Sequence, residues 1–479
     1  MISLKKNRLT KADIRLYLPF FVVFVLSVFY HLRMHPMGGD DPFFEAALDG
    51  TTLPEYLAGR YRFWTSRIVL EAILVLVIKA PWLWRLINLF FFASLPVLFT
   101  RLLGAVPKKG ALCGGEDELL SWCSAGAVLL YPLHDMGTAG WITTTETHFW
   151  PLWGTLFVAL QLRRIARREK MSPIAAVLGI PVAVMTGSHE QYAVILLVLL
   201  ILCGVYRLVQ RKARGAGDAL YAGEAGEQCT GESLRRWIFG IYAIVSLASL
   251  AVIAVCPGNA ARNAVSLSDL PIYETFGFGD KLYLGLLSIE RVFIANADLV
   301  FFAVTLLVAL LVYLKTDSYA KTLASAVPFL ILIGQTVIRT AYPGFSSLFP
   351  VPGEVLAWDW RALTTWMPLV YLAFTVAALL YAFYQLFADH MLTYLYVLVL
   401  LGCGFGAGAV LGFMATIYVS GERVYAALYV ILMLAALYAV RRQQGVLRDK
   451  CRGVGGRLLL TFFALLCLAN VLFETLSIG

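Results

Sequence analysis

The chain has 479 residues, 60% of them hydrophobic and 14% charged, with a formal net charge of +9. With a mean hydropathy of +0.77, this composition excludes a soluble multidomain protein and a disordered chain, and leaves a multi-span membrane protein. The positive charge does not point to nucleic acid, because it sits in short loops between apolar runs, the positive-inside pattern.

Apolar runs recur from Arg15 to Ser477, and a helix needs roughly 20 such residues to cross the hydrocarbon core. The first run, Leu16 to Leu32, has no small-residue cleavage site after it and reads as a retained span. The basic segments KKNRLTK (5–11), RRIARREK (163–170), RKAR (211–214) with RR (235–236), and RRQQGVLRDKCRGVGGR (441–457) fix the cytoplasmic side. Alternation from these anchors predicts spans near 16–33, 82–103, 119–133, 146–162, 173–188, 191–209, 237–256, 298–314, 322–338, 365–387, 391–413, 424–440 and 458–476. The expected fold is an all-α polytopic membrane protein of about 13 transmembrane helices, with interfacial helices in the first outer loop. It forms a single transmembrane domain over 1–479, with a first outer loop at 34–80, a Gly/Glu-rich cytoplasmic linker at 210–236, and outer loops at 257–297 and 339–364. Arg67 to Lys79 (RIVLEAILVLVIK) is apolar enough to insert, but a crossing there would turn RRIARREK outward. It is expected to be interfacial or re-entrant.

Most of the 39 basic residues, but fewer than half of the 30 acidic ones, fall on the cytoplasmic side of this topology. Acidic residues contribute little to orientation, so their outer excess asks for another cause. The long loops also lie outside, which is where binding or chemistry is expected. The eight cysteines are scattered and show no CxxC pairing, so neither a disulfide framework nor a zinc site is implied.

Three stretches can carry chemistry. In MHPMGGDDPFFEAAL (34–48), Asp40 and Asp41 follow the first span directly, with Pro42 opening a helix and Phe43 and Phe44 placed to anchor it in the interface. One of the two acids is a candidate general base; a plain N-cap is the alternative. TTTETHFWPLW (143–153) and GSHEQY (187–192) put Glu146, His148, His189 and Glu190 at outer span ends, and five of the six histidines (31, 35, 134, 148, 189) fall on that side. Ionisable groups at membrane depth are costly and usually functional. His189, Glu190 and a carboxylate leave a divalent cation open, although no ligand spacing is diagnostic. CPGNAARN (256–263) supplies Asn259 and Arg262, and Arg339, Arg361 and Arg423 lie in other outer segments beside Trp and Tyr. Arginine's planar fork suits a lipid-linked phosphate; ordinary snorkelling is the bland alternative. Walker, GxGxxG, HExxH and GxSxG patterns are absent from the sequence.

GGDDPFF, GSHEQY and CPGNAARN, set in a first span running outward followed by an acid pair and interfacial segments, resemble the GT-C superfamily of membrane glycosyltransferases. Aminoarabinose and mannosyl transferases and oligosaccharyltransferases belong to that superfamily; the likeness is narrower to a bacterial polytopic family related to it. The resemblance implies a GT-C-like fold in the bacterial cytoplasmic membrane, with the active site facing outward. It implies inverting transfer of a sugar from a polyprenyl-phosphate donor to a glycan or lipid acceptor of the cell-envelope polysaccharide kind. Asp40 or Asp41 would be the base, and His189 and Glu190 would line the acceptor or donor pocket; Glu146, His148, Asn259 and Arg262 are substrate-binding candidates by residue chemistry, and Arg339, Arg361 and Arg423, without a fixed counterpart in the superfamily, are lipid-phosphate ligands on the phosphate argument alone. The last expected span leaves no soluble C-terminal domain, which disfavours a peptide acceptor. An O-antigen-type polymerase or ligase, or a lipid or solute transporter, remains as the alternative.

Overall fold

The computed structural model describes residues 11–104, 115–214, 225–269, 271–342, 344, 358–418, 420–450 and 453–478. Parts of the expected linker at 210–236 and of the outer loop at 339–364 therefore lie outside the described residues.

The described chain is helical throughout, in the order α1 (Lys11–Arg33), α2 (Asp41–Glu45), α3 (Leu53–Phe63), α4 (Ile68–Val77), α5 (Pro81–Leu102), α6 (Gly115–Leu129), α7 (Trp141–Thr144), α8 (Trp150–Ala166), α9 (Pro173–Gly187), α10 (Glu190–Arg214), α11 (Ala225–Val255), α12 (Pro257–Asp269), α13 (Phe278–Glu290), α14 (Leu299–Lys315), α15 (Tyr319–Ala341), α16 (Leu363–Phe387), α17 (Met391–Val410), α18 (Ala426–Arg442), α19 (Gln444–Lys450) and α20 (Val454–Ser477). Among the described residues, eight segments are long and apolar enough to cross a membrane. The protein is a polytopic membrane protein. One of the eight, Leu363–Phe413, contains both α16 and α17. The chain folds back between them, since the Tyr394 hydroxyl donates to the Leu380 carbonyl at 3.4 Å and the Tyr384 and Tyr394 rings lie 5.6 Å apart. A straight helix would separate residues 380 and 394 by about 21 Å.

Even with α16 and α17 counted apart, these segments do not reach the expected thirteen, because several predicted spans are short or interrupted. Helices α6 and α9 have 15 residues each. Between α7 and α8 a π-helical turn, Thr145–Phe149, interrupts what is otherwise one helical run over 141–166. The expected span at 298–314 is α14, joined to α13 through a second π-helical turn, Arg291–Ala295, and a 71° bend. The expected outer loop at 257–297 is thus largely helix, and Tyr283, Leu284, Leu287 and Ile289 of α13 are buried. Helix α4 has ten residues, about 15 Å of length, half the hydrocarbon thickness; Leu70, Leu74, Val75 and Val77 turn its apolar face inward.

Helix α18 is the central element, buried along most of its length, which explains why its sequence is apolar all round. Helix α1 shows the opposite pattern: Leu16, Val23, Ser27, Tyr30 and His31 face inward while Phe21, Phe24, Val25 and Leu32 are exposed to lipid. Its inner face is tied by buried hydrogen bonds, which substitute for a hydrophobic drive between helices in lipid. His31 pairs through Nδ1 with the Ser27 carbonyl at 2.7 Å, so Nε2 accepts from Asn88 at 2.9 Å, and Trp150 donates to the Asn88 carbonyl oxygen at 3.0 Å. His31 is a packing residue that joins α1, α5 and α8.

Helices α13 and α17 touch backbone to backbone. A Cβ built on Gly285 would collide with the Ala409 carbonyl, and one on Gly412 with the Lys281 carbonyl. Gly406, within α17 itself, faces open space. Gly285→Ala is expected to lower stability by about 1–3 kcal/mol by forcing these helices apart. Gly406→Ala should be neutral or gain up to about 1 kcal/mol. Thermal unfolding of both variants in detergent checks the pair.

Candidate functional site

The acid pair divides into two environments. Asp41 is fully buried; its carboxylate accepts from the Thr143 backbone at 2.8 Å, the Thr143 hydroxyl at 2.6 Å, the Ile142 backbone at 3.4 Å and the Gly38 backbone at 3.3 Å. It therefore caps the start of the helical run over 141–166 from another loop, satisfying donors that a helix leaves open. Burial raises its pKa, against the opposing pull of these donors. The fit requires glycine at 140, where φ is +97° and an added Cβ would meet the Asp41 carboxylate at 2.5 Å. Asp40, one residue earlier, is exposed and is held by its backbone N–H on the Ala139 carbonyl at 3.0 Å. Its side chain lines a polar cavity of about 150 Å3; Asp41 is not part of that lining.

The cavity is walled by α3, α4, the 141–166 run, Arg262 of α12 and Arg423. Four arginines (60, 67, 262, 423) and three carboxylates (Asp40, Glu71, Glu146) line it. Arg60 pairs with both Glu71 oxygens at 2.6 and 3.0 Å, and Tyr56 donates to the same carboxylate at 2.6 Å. The Arg60 guanidinium also lies 5.4–5.9 Å from the rings of Phe43, Phe44, Tyr56 and Trp64, a cation–π cage. Of the two rings expected to anchor α2 in the interface, Phe44 packs under Arg60 and is buried, while Phe43 stays 58% exposed. Glu190 stands behind the lining and pairs with Arg67 at 2.7 Å and with Arg262 at 3.9 Å. Burial, then the Arg67 charge, lowers the Arg262 pKa. Arg423 donates to the Thr138 hydroxyl at 2.7 Å, and among the described residues no carboxylate pairs with it. The site therefore holds two neutralised arginines, one loosely paired, and Arg423, which makes no ion pair but feels the charge of Asp40 across the cavity.

Residue by residue, the structure gathers Asp40, Glu146, His148, Arg262 and Arg423 around one cavity. Asn259 sits beside it and braces loop 64–67, accepting from the Ser66 backbone and donating to the Ser66 hydroxyl, both at 3.2 Å. Arg339 and Arg361 do not join: Arg339 ends α15, and Arg361 is exposed beside Asp359. His189 packs between His148 and Tyr192, with ring centroids 5.2 and 5.0 Å apart. Its Nδ1 accepts from the Gln191 backbone at 3.3 Å, which leaves the proton on Nε2; burial depresses its pKa and keeps it neutral. Among the described residues no group of three or more His, Cys, Asp or Glu could hold a metal ion. The sequence reading missed Arg60, Arg67 and Thr143. For the two arginines a signal was present, since basic residues in a loop expected outside run against the positive-inside bias.

A second cavity of about 430 Å3 lies between α8, α10, α17 and α18. Its lining is almost wholly aliphatic and aromatic, and runs along α8 from Leu152 to Arg167 and along α10 from Tyr192 to Tyr206, about 20 Å. The two cavities share a wall: Tyr192 lines the apolar one and donates to the carbonyl of His148, which lines the polar one, at 2.9 Å.

Asp41→Asn replaces a carboxylate that takes four donors, and is expected to cost about 1–3 kcal/mol, read as a lower thermal midpoint. Asp40→Asn should stay within about 0.5 kcal/mol of the parent. A neighbouring acid gives a pH test. Asp135, in the turn Leu133–Gly137 between helices, is pushed up to about 7 by burial and then by Glu422. The fold favours its neutral form, so its contribution to stability is present at low pH and is lost as pH rises from about 4 to about 7. Asp135→Asn should unfold at a higher temperature than the parent at pH 8 and at the same temperature at pH 4. Comparison of the chain with protein-family models, with curated proteins and with solved structures gives no match.

Proposed function

We propose that the protein is an inverting GT-C type glycosyltransferase that moves a sugar from a polyprenyl-phosphate donor to a glycan or lipid acceptor at the outer face of the bacterial cytoplasmic membrane. The observation that supports this reading is the adjacency of two cavities of opposite character: an apolar one about 20 Å long and a polar one with an accessible carboxylate and an arginine outside any ion pair, which adjoin where Tyr192 donates to the His148 carbonyl. A lipid-linked phosphate needs both, since its chain seeks apolar walls while its anion seeks guanidinium groups at the membrane edge.

In the proposed reaction, Asp40 takes the proton of the acceptor hydroxyl as that oxygen attacks the anomeric carbon. The bond from the anomeric carbon to the phosphate oxygen breaks on the opposite side, its electron pair leaves with the prenyl phosphate, and the sugar inverts. Arg423 and Arg262 stabilise the charge gathering on the departing phosphate. Arg60 and Arg67, already paired with Glu71 and Glu190, hold the shape of the cavity. Asp41, capping the 141–166 run, fixes Asp40 in register and does not itself take the proton. Of the two acids that the sequence offers for catalysis, the proposal keeps one. The thirteen-span topology and the outward orientation belong to the same proposal.

The test supplies polyprenyl-phosphate sugars to purified protein with membrane extract as the acceptor source and follows release of the carrier. Asp40→Asn should lower turnover by roughly 10²- to 10⁴-fold, the range for a lost general base. Arg423→Ala should raise the donor KM about tenfold or more, as loss of a charge-assisted contact implies. Full turnover in Asp40→Asn contradicts the assignment.

A further inference from the structure

The apolar cavity between α8, α10, α17 and α18 has a second end, away from the polar one. There its lining changes character: Arg163 and Arg167, at the close of α8, join Tyr206, Tyr396 and Tyr438. These two arginines lie about 22–28 Å further along the helical run than His148, close to the roughly 30 Å of the hydrocarbon core. The cavity thus leads from the polar site toward the opposite face of the membrane.

Three guanidinium groups converge at that end around Gly104, just past α5, whose φ is +82°. A Cβ built on this glycine would lie 2.5 Å from the Arg163 guanidinium and 3.7 Å from that of Arg167. Arg441, about one helical turn beyond Tyr438 on α18, donates to the Gly104 carbonyl at 3.2 Å. Arg163 feels the charges of both other arginines, and is itself paired with Glu169 at 2.8 Å. Glu169 is not part of the cavity lining. Arg167 is exposed, lines the cavity and forms no ion pair among the described residues. It makes the mouth both reachable and positive.

Positive-inside bias accounts for basic residues at one end of a membrane protein, but not for three of them meeting at the mouth of a cavity. Like charges brought this close repel one another, and an anion among them relieves the repulsion. Basic hollows between membrane-spanning helices bind anionic lipid headgroups. The walls decide what kind of anion fits. A soluble phosphate would meet the arginines and leave about 20 Å of apolar lining unused, and an uncharged lipid would fill the lining and leave Arg167 unmet. The tyrosines suit the same depth, since rings with a polar tip settle at headgroup level.

We infer that the arginine-rimmed end of the apolar cavity binds an anionic phospholipid from the leaflet opposite the polar cavity, with its phosphate on Arg167 and Arg163 and an acyl chain between α8, α10, α17 and α18. The inference goes beyond the glycosyl-transfer reading and does not depend on it. The carrier of that reading brings its phosphate to the other end of the same cavity, and the two lipids enter from opposite sides.

The test titrates delipidated full-length protein in an uncharged detergent with dioleoyl phosphatidylglycerol, dioleoyl phosphatidylcholine and glycerophosphoglycerol, and reads binding by native mass spectrometry. The parent should bind phosphatidylglycerol about tenfold or more tightly than phosphatidylcholine, as a net negative headgroup beside several arginines implies. Glycerophosphoglycerol, a headgroup without chains, should bind far more weakly than either lipid. Arg167→Gln should lower the affinity for phosphatidylglycerol about five- to tenfold and leave that for phosphatidylcholine unchanged. Ala159→Phe places a ring in the cavity lining and should lower phosphatidylglycerol binding at least as much, whereas Val177→Phe, on the lipid-exposed face of α9, should not. Should Ala159→Phe fail to fold, Arg167→Gln decides alone. Equal binding of the two lipids, an unchanged phosphatidylglycerol affinity in either Arg167→Gln or a folded Ala159→Phe, or an equal loss in Val177→Phe would reduce the lipid to a surface coat and overturn the inference. Binding of glycerophosphoglycerol as tight as that of phosphatidylglycerol would make this a soluble-anion site and overturn it as well. Each of these results leaves the transferase reading standing, because carrier release by Asp40→Asn tests that reading separately.

Discussion

The polar end of the molecule depends on one carboxylate that never reaches solvent. Asp41 reaches from the loop after α1 to the start of the 141–166 helical run and takes four donors, three of them there. That contact couples segments about a hundred residues apart in sequence and fixes the neighbouring backbone, which places Asp40 on the polar cavity. The cost of burying a charge is offset only when its hydrogen bonds are made, so the contact is demanding as well as strong. It explains why two identical residues side by side do different work: one is consumed by the fold, and the other is left accessible.

The same economy governs the arginines. Cations in a segment that the topology expects outside, against the positive-inside bias, must be neutralised or used. Glu71 and Glu190 neutralise Arg60 and Arg67 at 2.6 and 2.7 Å, and both pairs lie deep enough to be little screened. These pairs are scaffolding. What remains are Arg262, held only loosely by Glu190, and Arg423, which faces the exposed Asp40, and the site is backed by a long apolar cavity. A soluble anion would need no such cavity, and a plain lipid would need no such acid.

Much of the fold was legible because lipid makes hydropathy a strong signal: α1, α5, α10, α11, α15, α18 and α20 fall close to the expected runs. The reading was less complete where helices are interrupted. The π-helical turns at Thr145–Phe149 and Arg291–Ala295 leave no mark in composition, and α13 is buried by close glycine contacts that hydropathy does not sense. At the site, residue type singled out Asp40, Glu146, His148, Arg262 and Arg423 without showing that they meet. Arg339 and Arg361 looked equivalent to Arg423 by chemistry and neighbourhood, and only three-dimensional packing separates them. Nor could sequence tell Asp40 from Asp41, since the difference is made by Thr143 and Ile142, far along the chain.

The central claim is that the acid-bearing cavity opens to the outside of the membrane. The most direct measurement is modification of an Asp40→Cys variant by a membrane-impermeant thiol reagent in intact cells, read at residue 40 by mass spectrometry. The account predicts rapid modification without permeabilisation. Modification only after the membrane has been opened would place the cavity on the cytoplasmic side and contradict it.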